Sequence, residues 1–152
     1  MEVVSFNKDY ASGIKRLLAF IIDRLALHAA FSVLFFAWFG APEGWSWSHL
    51  SFGAWHLAFR YWAYYATVEA LIVLYYSYME SSKYQATLGK LAVGIKVVDN
   101  HYGRLDFAKA LLRNLSKYLS ALIIYIGYIM IIFDDRKQGL HDKIADTFVV
   151  EQ

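Results

Sequence analysis

Between Gly13 and Phe39 the chain reads GIKRLLAFIIDRLALHAAFSVLFFAWF, an apolar run that nevertheless holds Arg16, Asp23 and Arg24. Each charge at the centre of a membrane helix costs roughly 2.5–3.5 kcal/mol, so such residues call for a reason. On a helix Arg16 and Asp23, seven positions apart, share one face about 10.5 Å apart along the axis. Asp23 and Arg24 are neighbours that diverge by about 100° and make poor partners. Counted from Leu17, Asp23 lies about 9 Å into hydrocarbon, and Arg24 can snorkel to the headgroups. A second apolar run carries Glu69 near its middle, where it must be protonated, paired or facing a wet cavity. A carboxylate in apolar surroundings has a raised pKa that a bound cation lowers, which is the physical basis of proton–cation exchange. The same groups can equally hold helices together.

Other chemistry finds little support. ATLGKLAVG lacks the phosphate-loop pattern, because Tyr84 stands where a glycine is needed and Leu91 follows Lys90. His28, His49, His56, His101 and His141 lack metal-ligand spacing. No cysteine is present, so disulfides, thiolate metal sites and cysteine nucleophiles are excluded. No conventional catalytic signature appears, and the chain reads as a non-enzyme without cofactor, metal or nucleic-acid partner.

The elements that must position these groups follow from composition and charge placement. With 152 residues the chain suffices for one domain, and at 59% hydrophobic it is richer in apolar residues than soluble domains. The spacing predicts an all-α membrane protein with two transmembrane helices, over 13–39 and 55–79, and no cleavable signal peptide. All five tryptophans lie between Trp38 and Trp62, and no lysine or arginine occurs from Gly40 to Phe59. That block reads as a non-cytoplasmic loop with its aromatic belt. Lys8, Lys15 and Arg16 lie before or at the very start of the first run, and seven basic residues lie between Lys83 and Lys117. Both regions are expected on the cytoplasmic side of the inner membrane, with the N-terminus.

Residues 80–117 form the most soluble-looking part. AVGIKVVDNHYGRLDF predicts a short strand, a turn through Asn100 and Gly103, and a second short strand. Asp106 then caps a helix with Lys109, Arg113 and Lys117 on one face, read as a stripe in which Lys109 and Lys117 face lipid phosphates. A third hydrophobic segment, 111–133, either spans or re-enters, since its apolar core is short and contains Gly127. The tail, 134–152, carries Arg136, Lys137 and Lys143 and ends in TFVVE, a natural partner for IKVVD.

GIKRLLAFIIDRL, ESSKYQATLGKLAVGIKVVDNHYGRLDFAKALLRNLSK and KQGLHDKIADTFVV together resemble the RDD family of small bacterial membrane proteins, named for one arginine and two aspartates. The resemblance implies that Arg16 and Asp23 are the arginine and first aspartate, and that Asp142 is the second. Asp146 departs from the family's usual glycine, while Glu69 lies outside the pattern. The family's function is mostly unassigned; some members are linked to sodium/proton antiport and others to membrane-complex assembly.

The expected function is therefore a non-catalytic membrane adaptor or assembly factor. The alternative is a monovalent cation/proton antiporter, necessarily a homo-oligomer because so few segments cannot enclose a pathway. The lipid bilayer, a membrane partner protein or a second copy, and Na+ or H+ are the expected partners. Arg16, Asp23, Asp142, Glu69 and Arg113 form the candidate polar cluster, with Asp23 bridged to Arg16 or another base.

Overall fold

The computed structural model describes residues 10–39, 54–122 and 126–152. The order is α1 (Gly13–Phe39), α2 (Ala54–Ser81), α3 (Leu88–Ala92), β1 (Ile95–Asp99), α4 (Phe107–Leu122), α5 (Ile126–Phe133), α6 (Leu140–Ile144) and β2 (Thr147–Glu151). The described chain is thus mostly helical with a small two-stranded sheet. It divides into two compact units, one comprising the chain up to Asp23 together with Val73–Gln152, the other Arg24–Ile72.

In the first unit β1 and β2 pair antiparallel, with Val97 opposite Val149 and Val98 opposite Phe148. Alternate side chains point to opposite faces of a strand, and here both faces are covered. Ile95, Val97 and Val149 pack with Ala11, Ala19, Leu105 and Ala110, while Val98, Phe148 and Val150 pack with Tyr10 and Tyr102. The expected pairing of IKVVD with TFVVE is formed. A second strand directly after the Asn100–Gly103 turn is not: residues 103–106 are irregular. Two contacts explain this. Asp99 folds its carboxylate onto the amides of His101 and Gly103, at 2.9 and 2.7 Å, and Gln85 occupies the other edge of β1 through its carbonyl, which accepts from the Val97 amide at 2.7 Å. Asp106 caps α4 by accepting from the Lys109 amide at 2.7 Å.

The two predicted spans are helices, of 27 and 28 residues. Among the described residues, however, no helix is long and apolar enough to cross a membrane. Charged residues interrupt both: Arg16, Asp23 and Arg24 in α1, and Arg60, Glu69 and Glu80 in α2. The third hydrophobic segment is divided between the end of α4 and the eight-residue α5, which packs back against α4. A helix must run about 20 residues to span hydrocarbon, and neither does.

Candidate functional site

The first turn of α1, the last turn of α2, the middle of α4 and the start of α6 converge on one buried network of charge. Arg113 is its centre. Its Nη1 donates to both oxygens of Glu80 at 2.8 Å, and its Nε and Nη2 donate to Oδ1 of Asp142 at 2.9 and 2.7 Å. Arg16 Nη1 donates to the other Asp142 oxygen at 2.6 Å, and the Gly139 amide reaches that same oxygen at 3.0 Å. Lys90 donates to Glu80 Oε1, and Asn114 Nδ2 donates to Oε2 at 3.1 Å. Lys117 turns inward, donating to Asn114 Oδ1 at 2.6 Å, and lies over the Tyr76 ring at 4.7 Å. Glu80 and Asp142 are both fully buried.

Electrostatics fix the protonation of this network. Burial alone would raise both carboxyls, but Arg113, Lys90 and Lys117 hold Glu80 well below the usual carboxylate range. Arg113 and Arg16 do the same for Asp142. Burial pushes the His141 imidazole down to about 3, so it is neutral, and its Nδ1 lies 3.4 Å from Ser120 Oγ. Burial, aided by Lys90 and Arg113, pushes the Lys117 ammonium down to about 7 against the pull of Glu80.

Asp23 has a separate environment. It faces the interior, 2% exposed, but the expected bridge to Arg16 is absent because Arg16 is engaged by Asp142. Asp23 Oδ1 accepts the Gly89 amide at 2.7 Å, and Oδ2 accepts the Thr87 hydroxyl at 2.5 Å. Thr87 is the N-cap of α3, so Asp23 ties α1 to the start of that helix. The approach is close: a Cβ on Gly89 would lie 2.1 Å from the Ala19 carbonyl oxygen and 2.8 Å from Asp23 Cγ. Only glycine fits.

In the second unit Arg24 Nη1 lies 3.6 Å from Glu69 Oε1, so a base does reach this midspan acid. The pair lines a cleft of about 340 Å³ between α1 and α2, together with His28, Phe31, Tyr64 and Tyr65.

Of the residues expected to form the cluster, the structure brings together Arg16, Arg113 and Asp142. Asp23 lies in the same unit on its own partners, and Glu69 lies in the other unit. Lys117 is not lipid-facing, and Lys109 is a half-buried residue of the first turn of α4 outside the network. Glu80 and Lys90 were missed. The available signal was position: Glu80 is the acid that ends an apolar run, and Lys90 lies in the QATLGK element whose lysine has no phosphate loop to serve.

The RDD family model matches residues 10–146. Similar proteins include YxaI of Bacillus subtilis, 46% identical over 78 residues, which are 51% of each chain. The membrane protein YteJ of Bacillus subtilis is 34% identical over 90 residues, 58% of this chain and 54% of that one. A proline-rich antigen homolog of Mycobacterium tuberculosis is 29% identical over 82 residues, 53% of this chain and 34% of that one. The chain spans about half the length of the first two of these relatives. No solved structure matches.

Proposed function

The chain belongs to the RDD family, and from that premise we propose that it is a multi-pass inner-membrane protein with a cytoplasmic N-terminus, acting as a non-catalytic adaptor or assembly factor. The outward surfaces of the long helices support membrane insertion. Leu17, Phe20, Leu25 and Val33 on α1, and Phe59, Trp62 and Leu74 on α2, are exposed, an amount of apolar surface that water-soluble monomers rarely show. Asp23 and Arg16 point inward, so these two charges of α1 need not meet lipid. The name of YteJ, a membrane protein, agrees with this reading.

The adaptor role rests on one observation: the acids of the central network are closed. Glu80 and Asp142 are fully buried, saturated by arginine and lysine, and held ionised. An exchanger needs a carboxyl that takes up and releases a proton near neutral pH, whereas these serve as fixed anions that lock elements together. A rigid, lipid-exposed scaffold suits assembly with another membrane protein.

One observation favours the second reading, oligomeric cation/proton antiport. Glu69 is about 39% exposed beside Arg24 in its cleft, the most open of the intramembrane acids. Purified protein in liposomes under a Na+ gradient separates the two readings. The adaptor reading expects no proton flux, and a single photo-crosslinking probe at Leu74 in native membranes giving one discrete adduct with a different protein. Cation-driven flux abolished by Glu69→Gln would establish transport instead.

A further inference from the structure

Helix α4 is amphipathic in the reverse sense. In a water-bathed protein the apolar stripe of a surface helix faces the core and the polar stripe faces solvent. Here Arg113, Asn114, Ser116 and Ser120 are buried, while Phe107, Leu112, Leu115, Tyr118 and Leu119 are about half exposed. The polar face is occupied internally by Glu80, Asp142 and Ser77. The outward face therefore meets an apolar medium.

Position along the long helices sets its orientation. Arg113 lies midway along α4 and bonds Glu80 in the last turn of α2 and Asp142, which bonds Arg16 in the first turn of α1. The midpoint of α4 is thus level with the polar ends of α1 and α2. A 16-residue helix extends about 24 Å, short of the roughly 30 Å hydrocarbon core. The same unit also exposes Ile14, Leu17, Ile21 and Leu88. Apolar surface spread over three helices fits a continuous medium better than the footprint of one partner.

Building on the membrane reading above, we propose that α4 lies flat in the cytoplasmic headgroup–acyl boundary, its Leu112–Leu115–Leu119 face buried in lipid and its polar face closing the ion network. An interfacial helix of this kind inserts its apolar side about 5–10 Å. No third crossing then exists, and both termini share one side.

The native chain has no cysteine, so single environment-sensitive fluorophores can be attached at Leu112→Cys, Leu115→Cys and Leu119→Cys in nanodiscs. Quenching by lipids spin-labelled near the headgroup or deep in the acyl chain reads the depth of each. The expected result is the same shallow-over-deep quenching ratio at all three sites. A ratio that shifts steadily from Leu112 to Leu119, about 10 Å apart along the axis, would mean that α4 crosses the bilayer and would overturn the proposal. A probe at Phe20→Cys on α1 serves as reference. If it is quenched while the α4 probes are not, protein rather than lipid covers α4, and disulfide-linked dimers of the α4 variants would identify a second copy. If the Phe20 probe is also unquenched, the membrane reading itself fails.

Discussion

Arg113 places two guanidinium donors on a single oxygen of Asp142, at 2.9 and 2.7 Å, while its remaining nitrogen holds both oxygens of Glu80 at 2.8 Å. One side chain thereby joins the end of α2 to the start of α6 through α4. All three guanidinium nitrogens donate from one planar fork, a geometry an ammonium cannot reproduce.

Removing Arg113 leaves two buried carboxylates short of their main counter-charge. Breaking a buried pair by deleting one partner costs about 3–5 kcal/mol. Arg113→Leu is expected to lose at least that, and Arg113→Lys to recover less than half of it. Thermal unfolding of the detergent-solubilised protein measures both; a lysine variant as stable as the native chain would reduce the network to simple charge neutralisation.

The network also predicts an unusual pH response. Lys117 has its ammonium pushed from the ordinary 10.5 down to about 7 in the fold. Between those values the unfolded chain binds the proton and the folded chain does not, so stability rises with pH. The side chain is a quarter exposed, and solvent screening reduces the effect to about 1 kcal/mol. The unfolding midpoint should therefore rise by about 2–4 °C between pH 7 and pH 9. Lys117→Gln should flatten that slope. On the acid side the slope has the same sign: Glu80 and Asp142 are depressed, so the unfolded chain again binds more protons, and their contribution, complete above the ordinary values of 4.5 and 3.8, is lost as pH falls below them.

How much of this was legible in the chain follows from what each signal encodes. The apolar runs marked the two long helices, and the β-branched residues of IKVVD and TFVVE identified strands that pair although 47 residues separate them. Charge spacing along one helix suggested that Arg16 would meet Asp23, but the arginine reaches an aspartate from the opposite end of the chain. A three-dimensional competition between acids for one base leaves no periodicity to read. Lys109, Arg113 and Lys117 were correctly placed on one face of α4. That face turned out to be the inside, because a hydrophobic pattern gives the angle between two faces and not which medium each one meets.

Asp23 is expected to act as a clasp on α3. Asp23→Leu strands the Gly89 amide and the Thr87 hydroxyl inside the protein, and each lost partner costs about 1–3 kcal/mol. Asp23→Asn keeps one acceptor and should cost about half as much. Gly89→Ala tests the same junction from the other side, since its methyl would collide with the Ala19 backbone. It should lower stability more than Asp23→Asn in the same unfolding assay. An alanine variant of native stability would show that α3 can retreat from α1 freely.

Asp146 offers a change in the favourable direction. It follows the short helix α6 and its C-cap Ala145 and adopts φ +51, the left-handed region. That conformation suits a helix end, where glycine is the usual residue because it has no Cβ to crowd the carbonyl. Aspartate tolerates it better than most side chains but not without strain. A glycine at this position would therefore have a physical reason, and the aspartate leaves the turn intact at some cost. Against this, glycine loses more backbone entropy on folding than any other residue. The strain relief should exceed that entropy, giving Asp146→Gly a net gain of about 0.5–1 kcal/mol. Asp146→Val, whose branched Cβ is least compatible with positive φ, should lose stability instead. Measuring both unfolding midpoints decides the matter, for equal effects of glycine and valine would mean that the backbone at this turn carries no strain.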